Sequence, residues 1–471
     1  SNAPVSFTNT LTKQKEIFTP NRAGRVSLYS CGPTVYGPDQ IGNLRSFVLA
    51  DLVARVLTDA DYRVRRVMNI TDVGHLVGDA DDGEDKIAVG AKKEKTTPQE
   101  IADRYAKRFL EDITLLNVDT QAMRFPRATE YIEEDIALIR ELEKKGLTYL
   151  TKSGVYFDTE KFPNYGKLHG LKTIKLIGGA RVIMDDGRKN VHDFALWRFA
   201  KSGDLQQWNS PWGRGNPGWS IECSAMAMTL LGAEIDIHTG GEDLASIHHN
   251  NEIAQSEGAT DRAFVRYWLH GAFLSMSGEK MSKSLGNVFT LKDVVARGFH
   301  PLALRYLFLQ ANYRSPIDFS WEALSAADEA LRRLWRQSDH IGRDAQKKAV
   351  SSETSRAITA LLREDLSTPQ AIALLYSALQ NDALTHREVW GVIEAADQVL
   401  GLSLLAPPEE MLPVPLFKVP QNIQRAAKER EEARKAKDFS KADQLRIHIE
   451  KSGYHVDDTP SGPLFTAMKK E

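Results

Sequence analysis

Apolar positions alternate through residues 25–31 (RVSLYSC), the pattern of a short strand, and Gly32, Pro33, Gly37 and Pro38 break it into a loop over 32–39. Phe47, Val48, Leu52, Val53, Val56 and Leu57 then recur at helical spacing, and residues 62–70 (YRVRRVMNI) return to a strand. Strand, helix and strand in that order predict a βαβ unit with a right-handed crossover, whose ligand belongs beyond the first strand's carboxyl end. Residues 31–43 thus occupy the position where an α/β fold does its work.

The periodicity organises the rest of the chain. Thr97, Pro98 and Glu100 combine an N-cap, a first-turn proline and a capping-box carboxylate, and Ile101, Tyr105, Phe109, Ile113 and Leu116 mark the buried stripe of the helix expected after them. From about residue 118 the pattern changes, to a helix over 129–145 and then a polar stretch rich in Gly, Trp and Pro. This predicts an insertion between two halves of one α/β domain. The second half is expected to resume near Ala225 and to carry residues 235–241 (IDIHTGG), a strand running into a glycine turn. Helical patterning follows over 302–309, 321–337 and 354–402. Pro407, Pro408, Pro413, Pro415 and Pro420 make 406–420 a stiff linker, and charged helices over 423–437 and 442–451 precede a small tail. The expected architecture is a Rossmann-like parallel-sheet domain over 4–117 and 225–270, split by an insertion over 118–224. A region over 271–345, a helical bundle over 346–405, the linker and a C-terminal domain over 421–471 complete it.

Composition narrows the class. The 471 residues exceed one ordinary core, and 42% hydrophobic with 26% charged residues describe a soluble globular chain. No apolar run approaches the roughly 18 residues that span a bilayer, which predicts no membrane association and a cytoplasmic protein. A net charge of -2 does not advertise a nucleic-acid binder, but a neutral total can hide a basic face. Over 421–451 nine Lys and Arg oppose six Asp and Glu, a local charge of +3. Two cysteines exclude a disulfide framework, and a reducing compartment keeps both thiols available to a metal.

Those cysteines, Cys31 and Cys223, stand far apart, with a His248-His249-Asn250-Asn251-Glu252 run downstream. Two thiols, a histidine and a carboxylate are suitable zinc ligands, and His248 and Glu252 would share a face if the run is helical. Two buried cysteines acting as small hydrophobes and a helix with surface histidines account for the same spacing. Gln40-Ile41-Gly42-Asn43 opens the predicted helix, where free N–H groups and Gly42 suit a triphosphate; a simple helix cap reads the same way. Lys280 and Lys283 lie three apart among small residues in a loop able to neutralise phosphates, or only to meet solvent.

The motifs CGPTVY, QIGN, NITDVG, GWSIECSAM, DIHTGGED, HHNNEIAQSE and GEKMSKSLGN occur in an order that closely resembles the cysteinyl-tRNA synthetases, a class I aminoacyl-tRNA synthetase family. The resemblance spans nearly the whole chain. It implies a Rossmann-like catalytic domain with a connective insertion, a KMSKS-loop and stem-contact region over 271–345, a helical anticodon-side domain and a small C-terminal tRNA-binding domain. It also implies Cys31, Cys223, His248 and Glu252 as zinc ligands, and Thr71, Trp219 and Asp243 as the holders of substrate cysteine. Gln40, Gly42, Asn43, Gly240, Gly241, Lys280 and Lys283 fall to ATP with Mg²⁺, with Lys283 the foremost nucleotide contact. The activity implied is ligation of L-cysteine to tRNA(Cys) by a monomer. Two other readings share the core: a cysteine ligase acting on an amino sugar, which lacks the anticodon end, and a non-catalytic synthetase-like paralogue that binds tRNA or zinc.

The metal is expected to bind a thiolate far better than a hydroxyl and so to select cysteine. Four protein ligands normally close a zinc site, so substrate sulfur must add a fifth or displace the loosest, for which Glu252 is the candidate. Three positions depart from the family pattern: Gln40 stands where the signature has histidine, Ser220 where histidine is common, and an acidic stretch at 75–86 lengthens the TDVDDK segment.

Overall fold

A computed structural model of the chain describes residues 4–74, 85–170, 187–281, 286–459 and 462–468. An N-terminal hairpin, β1 (Ser6–Asn9) and β2 (Gln14–Ile17), leads into β3 (Arg25–Ser30). Helix α1 (Ile41–Asp59) then crosses to β4 (Arg63–Met68), which pairs parallel with β3. This is the βαβ unit expected from residues 25–70. Helices α2 (Lys86–Lys93) and α3 (Pro98–Leu115) follow, and the Thr97–Glu100 capping box forms as read from sequence.

The central sheet has five parallel strands in the order β11–β10–β3–β4–β5, with β5 at Met123–Arg124, β10 at Ile235–Gly241 and β11 at Val265–Gly271. The chain leaves β3 toward β4 and β5 on one side, and β10 toward β11 on the other. The crevice beyond the carboxyl ends of β3 and β10 is therefore the topological switch point where ligands bind in open α/β sheets.

The insertion contains α4 (Ile132–Lys144) and a four-stranded antiparallel sheet, β6 (Thr148–Leu150), β7 (Gly154–Phe157), β8 (Phe194–Phe199) and β9 (Gly215–Pro217). Its own apolar cluster includes Ile139, Leu142, Val155, Phe157, Leu196 and Trp197. Both expected insertion boundaries need correction. The one at 117/118 strands β5, which bonds to β4, on the wrong side; the one at 224/225 cuts helix α5 (Trp219–Leu231). Helix α6 (His248–Thr260) packs beside α5.

Beyond β11, hairpin strands β12 (Leu274–Met276) and β13 (Glu279–Lys280) bring in Lys280, and β14 (Ile317–Asp318) adds to β12. Helices α7 (Leu291–Ala296), α8 (Pro301–Leu309) and α9 (Trp321–Asp344) precede a bundle of α10 (Glu353–Arg363), α11 (Thr368–Leu379) and α12 (His386–Leu400). The long pattern over 354–402 breaks first at Asp365 and Leu366, whose φ angles of 50° and 51° end α10. One continuous core runs from the sheet through α1 into this bundle, joining Leu28, Val53, Leu304, Leu331 and Ile393.

The 406–420 segment is not a bare stiff spacer. It forms short 3₁₀ turns at Glu409–Met411 and Leu416–Lys418, buries Met411 in the main core and pairs Val414 with Phe465. The tail has a separate small core under α13 (Gln421–Lys435), α14 (Phe439–Lys451) and a hairpin, β15 (Tyr454–Thr459) with β16 (Gly462–Ala467). That hairpin was not foreseen from sequence. Among the described residues, no helix is long and apolar enough to cross a membrane.

A buried ionic hub fastens α1. The Asp51 carboxylate lies 2.8 Å from Arg305 on α8, 2.7 Å from Arg55 and 3.5 Å from Arg66. Arg305 also donates to the carbonyls of Leu400 (2.8 Å) and Leu116 (3.0 Å). Burial alone would raise the Asp51 carboxyl, but Arg305, Arg55 and Arg66 outweigh it and hold it at about 2.

Candidate functional site

Four elements converge at the switch point. Cys31 follows the last residue of β3, Cys223 lies on α5, and His248 and Glu252 share one face of α6 at i, i+4. The run from 248 is helical, which the metal reading of its spacing required. The Cys31 Sγ lies 4.0 Å from Cys223 Sγ and 3.6 Å from Glu252 Oε1, while His248 Nε2 is 3.0 Å from the same oxygen. The four ligand atoms all lie within 4.8 Å of one another.

The chemistry of this set fits a metal ion. Both His248 nitrogens are buried without a hydrogen bond of proper geometry. Cys223 is lowered to about 6, first by the hydrogen bond from Cys31 and then by His248, which favours its thiolate. Burial would lower His248, but Cys223 and Glu252 raise it to about 10. Burial would likewise raise Glu252, but His238 and His248 hold it at about 2. Charges of opposite sign are thus packed where a cation with two thiolates would also balance.

A second set, Cys31, His238, His249 and Glu252, is equally compact. Its histidines are otherwise engaged. His238 bridges Glu252 Oε2 (2.8 Å) and the Thr239 carbonyl (3.1 Å), and His249 Nδ1 lies 2.7 Å from His270 Nε2. Cys223 and His248, in contrast, line the open cavity. The set with both thiols is the better metal cradle.

His238, His249 and His270 escaped the sequence reading. His249 Nε2 lies 3.4 Å from Cys31 Sγ, and His270 Nδ1 lies 2.7 Å from Thr10 Oγ1, which completes a chain from Thr10 to the thiol. Burial pushes His249 well down and His270 to about 3, so both rings are neutral and each has one donor and one acceptor nitrogen. Burial pushes the Cys31 thiol well up, so it keeps the hydrogen that it donates toward Cys223, and its sulfur closes the end of this chain. The available signal was a histidine inside each apolar strand, IDIHTGG and VRYWLHG.

Glu252 was the expected loosest ligand. Its anchoring by His238 opposes that role, because a carboxylate tied through Oε2 does not swing freely.

One cavity of about 240 Å³ joins this cluster to the nucleotide motifs. Its wall includes Cys31, Cys223 and His248 at one end, Thr71, Trp219, Gly241 and Asp243, and then Gln40, Gly42, Asn43 and Lys280. The Trp219 ring lies 4.3 Å from that of His248, and Thr71 Oγ1 accepts from Asn69 Nδ2 at 3.0 Å. Asp243 lies 3.6 Å from Lys280, both more than half exposed. Gln40 caps α1, its N–H donating to Asn43 Oδ1 at 3.2 Å, and the Ile41 N–H donates to the Phe289 carbonyl at 2.9 Å. That last bond ties the first motif to the segment that follows the second. A Cβ at Gly42 would meet only Leu274, at 3.7 Å, so packing does not demand glycine there and the open space faces the cavity.

One expected site residue falls elsewhere and another is not described. Gly240 is not on the cavity wall: a Cβ there would sit 2.6 Å from His249 Cε1, so this glycine makes room for the histidine rather than for a nucleotide. Lys283 lies outside the described residues, as do 75–84 of the acidic stretch. Where the pattern has histidine, the buried Ser220 Oγ donates to Gln255 Oε1 at 3.1 Å and so still links α5 to α6. In the tail, Asp458, which lies beyond 421–451, pairs with Arg430 and Arg434 and so offsets part of the +3 charge.

Comparison with known proteins agrees with this geometry. The family model described as tRNA synthetases class I (C) catalytic domain matches residues 17–329. The chain is 42% identical to cysteine–tRNA ligase 1 of Burkholderia lata, covering 99% of this chain and 97% of that protein. It is 40% identical to the cysteine–tRNA ligase of Thermus thermophilus, covering 97% and 98%. Among solved structures, methionyl-tRNA synthetase of Mycobacterium tuberculosis with methionyl-adenylate aligns with a TM-score of 0.55 at 16% identity, over 82% of this chain and 92% of that one. A LeuRS–tRNA–LeuAMS complex from Agrobacterium radiobacter aligns with a TM-score of 0.57 at 12% identity, over 83% and 86%. These two likenesses concern the fold, whereas the full-length identity to the cysteine enzymes concerns the family. With its parallel sheet, its switch-point crevice and this near-complete match, the chain belongs to the cysteine–tRNA ligase family of class I tRNA synthetases.

Proposed function

We propose that this protein activates L-cysteine with ATP and Mg²⁺ and transfers it to tRNA(Cys), working as a cytoplasmic monomer. The observation that carries this reading is the single cavity shared by the thiol cluster and the two nucleotide motifs. Cys31, Cys223, His248 and Glu252 would hold zinc at its inner end. Bound there, zinc supplies a Lewis acid with a strong preference for thiolate over hydroxyl, the basis for selecting cysteine over serine.

The remaining work is positioning and charge stabilisation. Asp243 faces the cavity as a partner for the substrate ammonium, with Thr71 and Trp219 beside it. Gln40 and the N-terminal end of α1 present donors to the triphosphate. Lys280 and Lys283 neutralise the departing pyrophosphate. A cysteine carboxylate oxygen attacks the α-phosphorus and pyrophosphate leaves; the terminal ribose hydroxyl of tRNA then attacks the carbonyl and AMP leaves. The basic residues of α13 and α14 face the tRNA backbone.

Zinc content, cysteine-dependent ATP–pyrophosphate exchange and charging of tRNA(Cys) test this reading together. The expected result is one zinc per chain, exchange with cysteine but not serine, and charging that requires residues 421–471. Exchange without charging would favour the amino-sugar ligase reading, and a zinc-bound protein with neither activity would favour the non-catalytic one.

A further inference from the structure

The bond from the Ile41 N–H to the Phe289 carbonyl, 2.9 Å long, decides which donors the first turn of α1 keeps for a ligand. Ile41 spends its N–H on Phe289, and Asn43 donates to the Gln40 carbonyl at 2.9 Å. Gly42 sits between them on the cavity wall, and among the described residues its N–H has no partner, which leaves it to meet a phosphate. The aim of that N–H follows from where Phe289 is held.

Phe289 is held by side chains away from the cavity. Its ring centre lies 4.9 Å from that of Trp321, with the planes at 71°, and Trp321 packs in the same way on Phe319 at 5.2 Å and 79°. The Arg297 guanidinium lies over the Trp321 face, 3.7 Å from its centre, and 5.9 Å from the centre of the Phe289 ring. That is a close cation–π contact. The next residue fixes the main chain: Thr290, the N-cap of α7, donates its N–H and its hydroxyl to Asp293 Oδ2 at 2.8 and 3.1 Å. Residue 289 is thus gripped twice, through its backbone by the cap and through its ring by Trp321. None of Phe289, Arg297 and Trp321 lines the cavity.

We propose that the Arg297–Trp321 stack positions the nucleotide site: it holds Phe289 so that its carbonyl fixes the first turn of α1 and aims the Gly42 N–H at a phosphate of ATP. This rests on the ligase reading above. Arg297 and Trp321 are positioning residues that act through one backbone hydrogen bond. Their effect therefore belongs to the nucleotide and not to the thiol cluster at the other end of the cavity. Misaligning one hydrogen bond to a charged phosphate weakens ATP binding about tenfold.

The test is cysteine-dependent ATP–pyrophosphate exchange by full-length, zinc-loaded wild type, Trp321→Leu, Trp321→Tyr, Arg297→Gln, Ile41→Pro and the Ile41→Pro/Trp321→Leu double variant. Proline suits the first helical position, and Gln40, at φ -77° and ψ 151°, already has the extended backbone that a following proline requires. Ile41→Pro therefore deletes the donor and keeps the turn. Trp321→Leu and Ile41→Pro are each expected to raise KM for ATP about tenfold and Arg297→Gln about threefold, with Trp321→Tyr within about twofold of wild type. KM for cysteine and zinc content stay at their wild-type values. In the double variant Trp321→Leu adds less than about twofold, because the bond through which it acts is already gone. A merely structural stack would lower the active fraction, and kcat with it, at an unchanged KM for ATP, and that result overturns the proposal. So do multiplying effects in the double variant, and so does a loss in Arg297→Gln confined to transfer from preformed cysteinyl-adenylate to tRNA, which would place Arg297 on the RNA. Wild type without exchange would instead overturn the ligase reading itself, whereas an active wild type with equally active variants overturns only the role of the stack.

Discussion

Arg305→Met removes the guanidinium that joins α1, α8 and the end of α12. Wild-type Arg305 is wholly buried, with Nη2 2.8 Å from Asp51 and with Nε and Nη1 donating to the Leu400 and Leu116 carbonyls. Breaking a buried ion pair by deleting one partner costs about 3–5 kcal/mol, because the other charge stays buried. Here Arg55 and Arg66 still face Asp51, which moves the electrostatic part to the low end of that range. Two carbonyls lose their donor at about 1 kcal/mol or more each, and the methionine side chain returns part through apolar contact. The net expectation is about 4 kcal/mol. With a urea dependence of about 3 kcal/mol per molar, the unfolding midpoint of the α1-containing unit drops by more than 1 M. Gly401→Ala should act in the same direction: its φ of 62° is left-handed, and a Cβ would lie 2.6 Å from Arg305 Nη2. Urea titration followed by tryptophan fluorescence reports both, with Trp335 in the same core donating to the Leu402 carbonyl at 2.8 Å. A loss below 1 kcal/mol for Arg305→Met would show that water or relaxation replaces the hub, and the reasoning would fail.

Gln40→His should raise exchange about fivefold, since a charge-assisted hydrogen bond exceeds a neutral one by about 1 kcal/mol; an unchanged or lower rate refutes this. Gly32→Ala places a Cβ 1.8 Å from the Asn69 carbonyl oxygen, so the Cys31 loop must move; zinc content well below one per chain is expected, and full zinc with full activity would be the contrary result. Lys280→Gln releases Asp243 from its exposed pair, so isothermal titration without ATP should show cysteine binding tighter by at most about fivefold, and weaker binding would contradict the arrangement. Asp51 drops from its usual 3.8 to about 2 in the folded protein. A depressed carboxyl contributes stability above its unfolded value and loses it as pH falls toward the folded one. Urea midpoints should therefore show about 2 kcal/mol lost between about pH 4 and pH 2, and Asp51→Asn should abolish that part of the profile.

Periodicity exposed the βαβ unit because each element has one dominant repeat: alternation in residues 25–31, and helical spacing from Phe47 to Leu57. His248 and Glu252 were legible for the same reason, since i, i+4 spacing becomes proximity once the segment is helical. The insertion sheet was not, because its strands are three to six residues long and separated by polar turns. The boundary near 224 was misplaced because the Trp- and Gly-rich approach to α5 reads as loop until the helix is seen to start at Trp219. The histidine chain is harder still. Thr10, His249 and His270 meet only because β1 packs against β11 and α6 lies over its end, a tertiary fact with no local period. Gly240 shows the converse error, a glycine beside a nucleotide motif that serves an internal ring.

What holds the metal cradle in shape is the seam between α5 and α6, and here the departure at Ser220 acquires meaning. Cys223 lies on one helix and His248 with Glu252 on the other, so any slip between them spreads the ligand atoms. The seam is polar: Ser220 Oγ donates to Gln255 Oε1, Gln255 Nε2 donates to Ser224 Oγ at 2.9 Å, and Ser224 Oγ donates to the Glu252 carbonyl at 3.4 Å. Gln255 is thus held at both ends of its amide, and the small hydroxyl at 220 leaves room for it. A histidine there could fill that space with its own ring and would compete for the same amide oxygen. In this chain the two helices are joined here by a Ser–Gln–Ser relay. Gln255→Leu, nearly isosteric but unable to bridge, separates the two accounts. If the relay sets ligand spacing, zinc affinity falls about tenfold or more while the urea midpoint moves little; if the helices are held by apolar packing alone, both stay at the wild-type value.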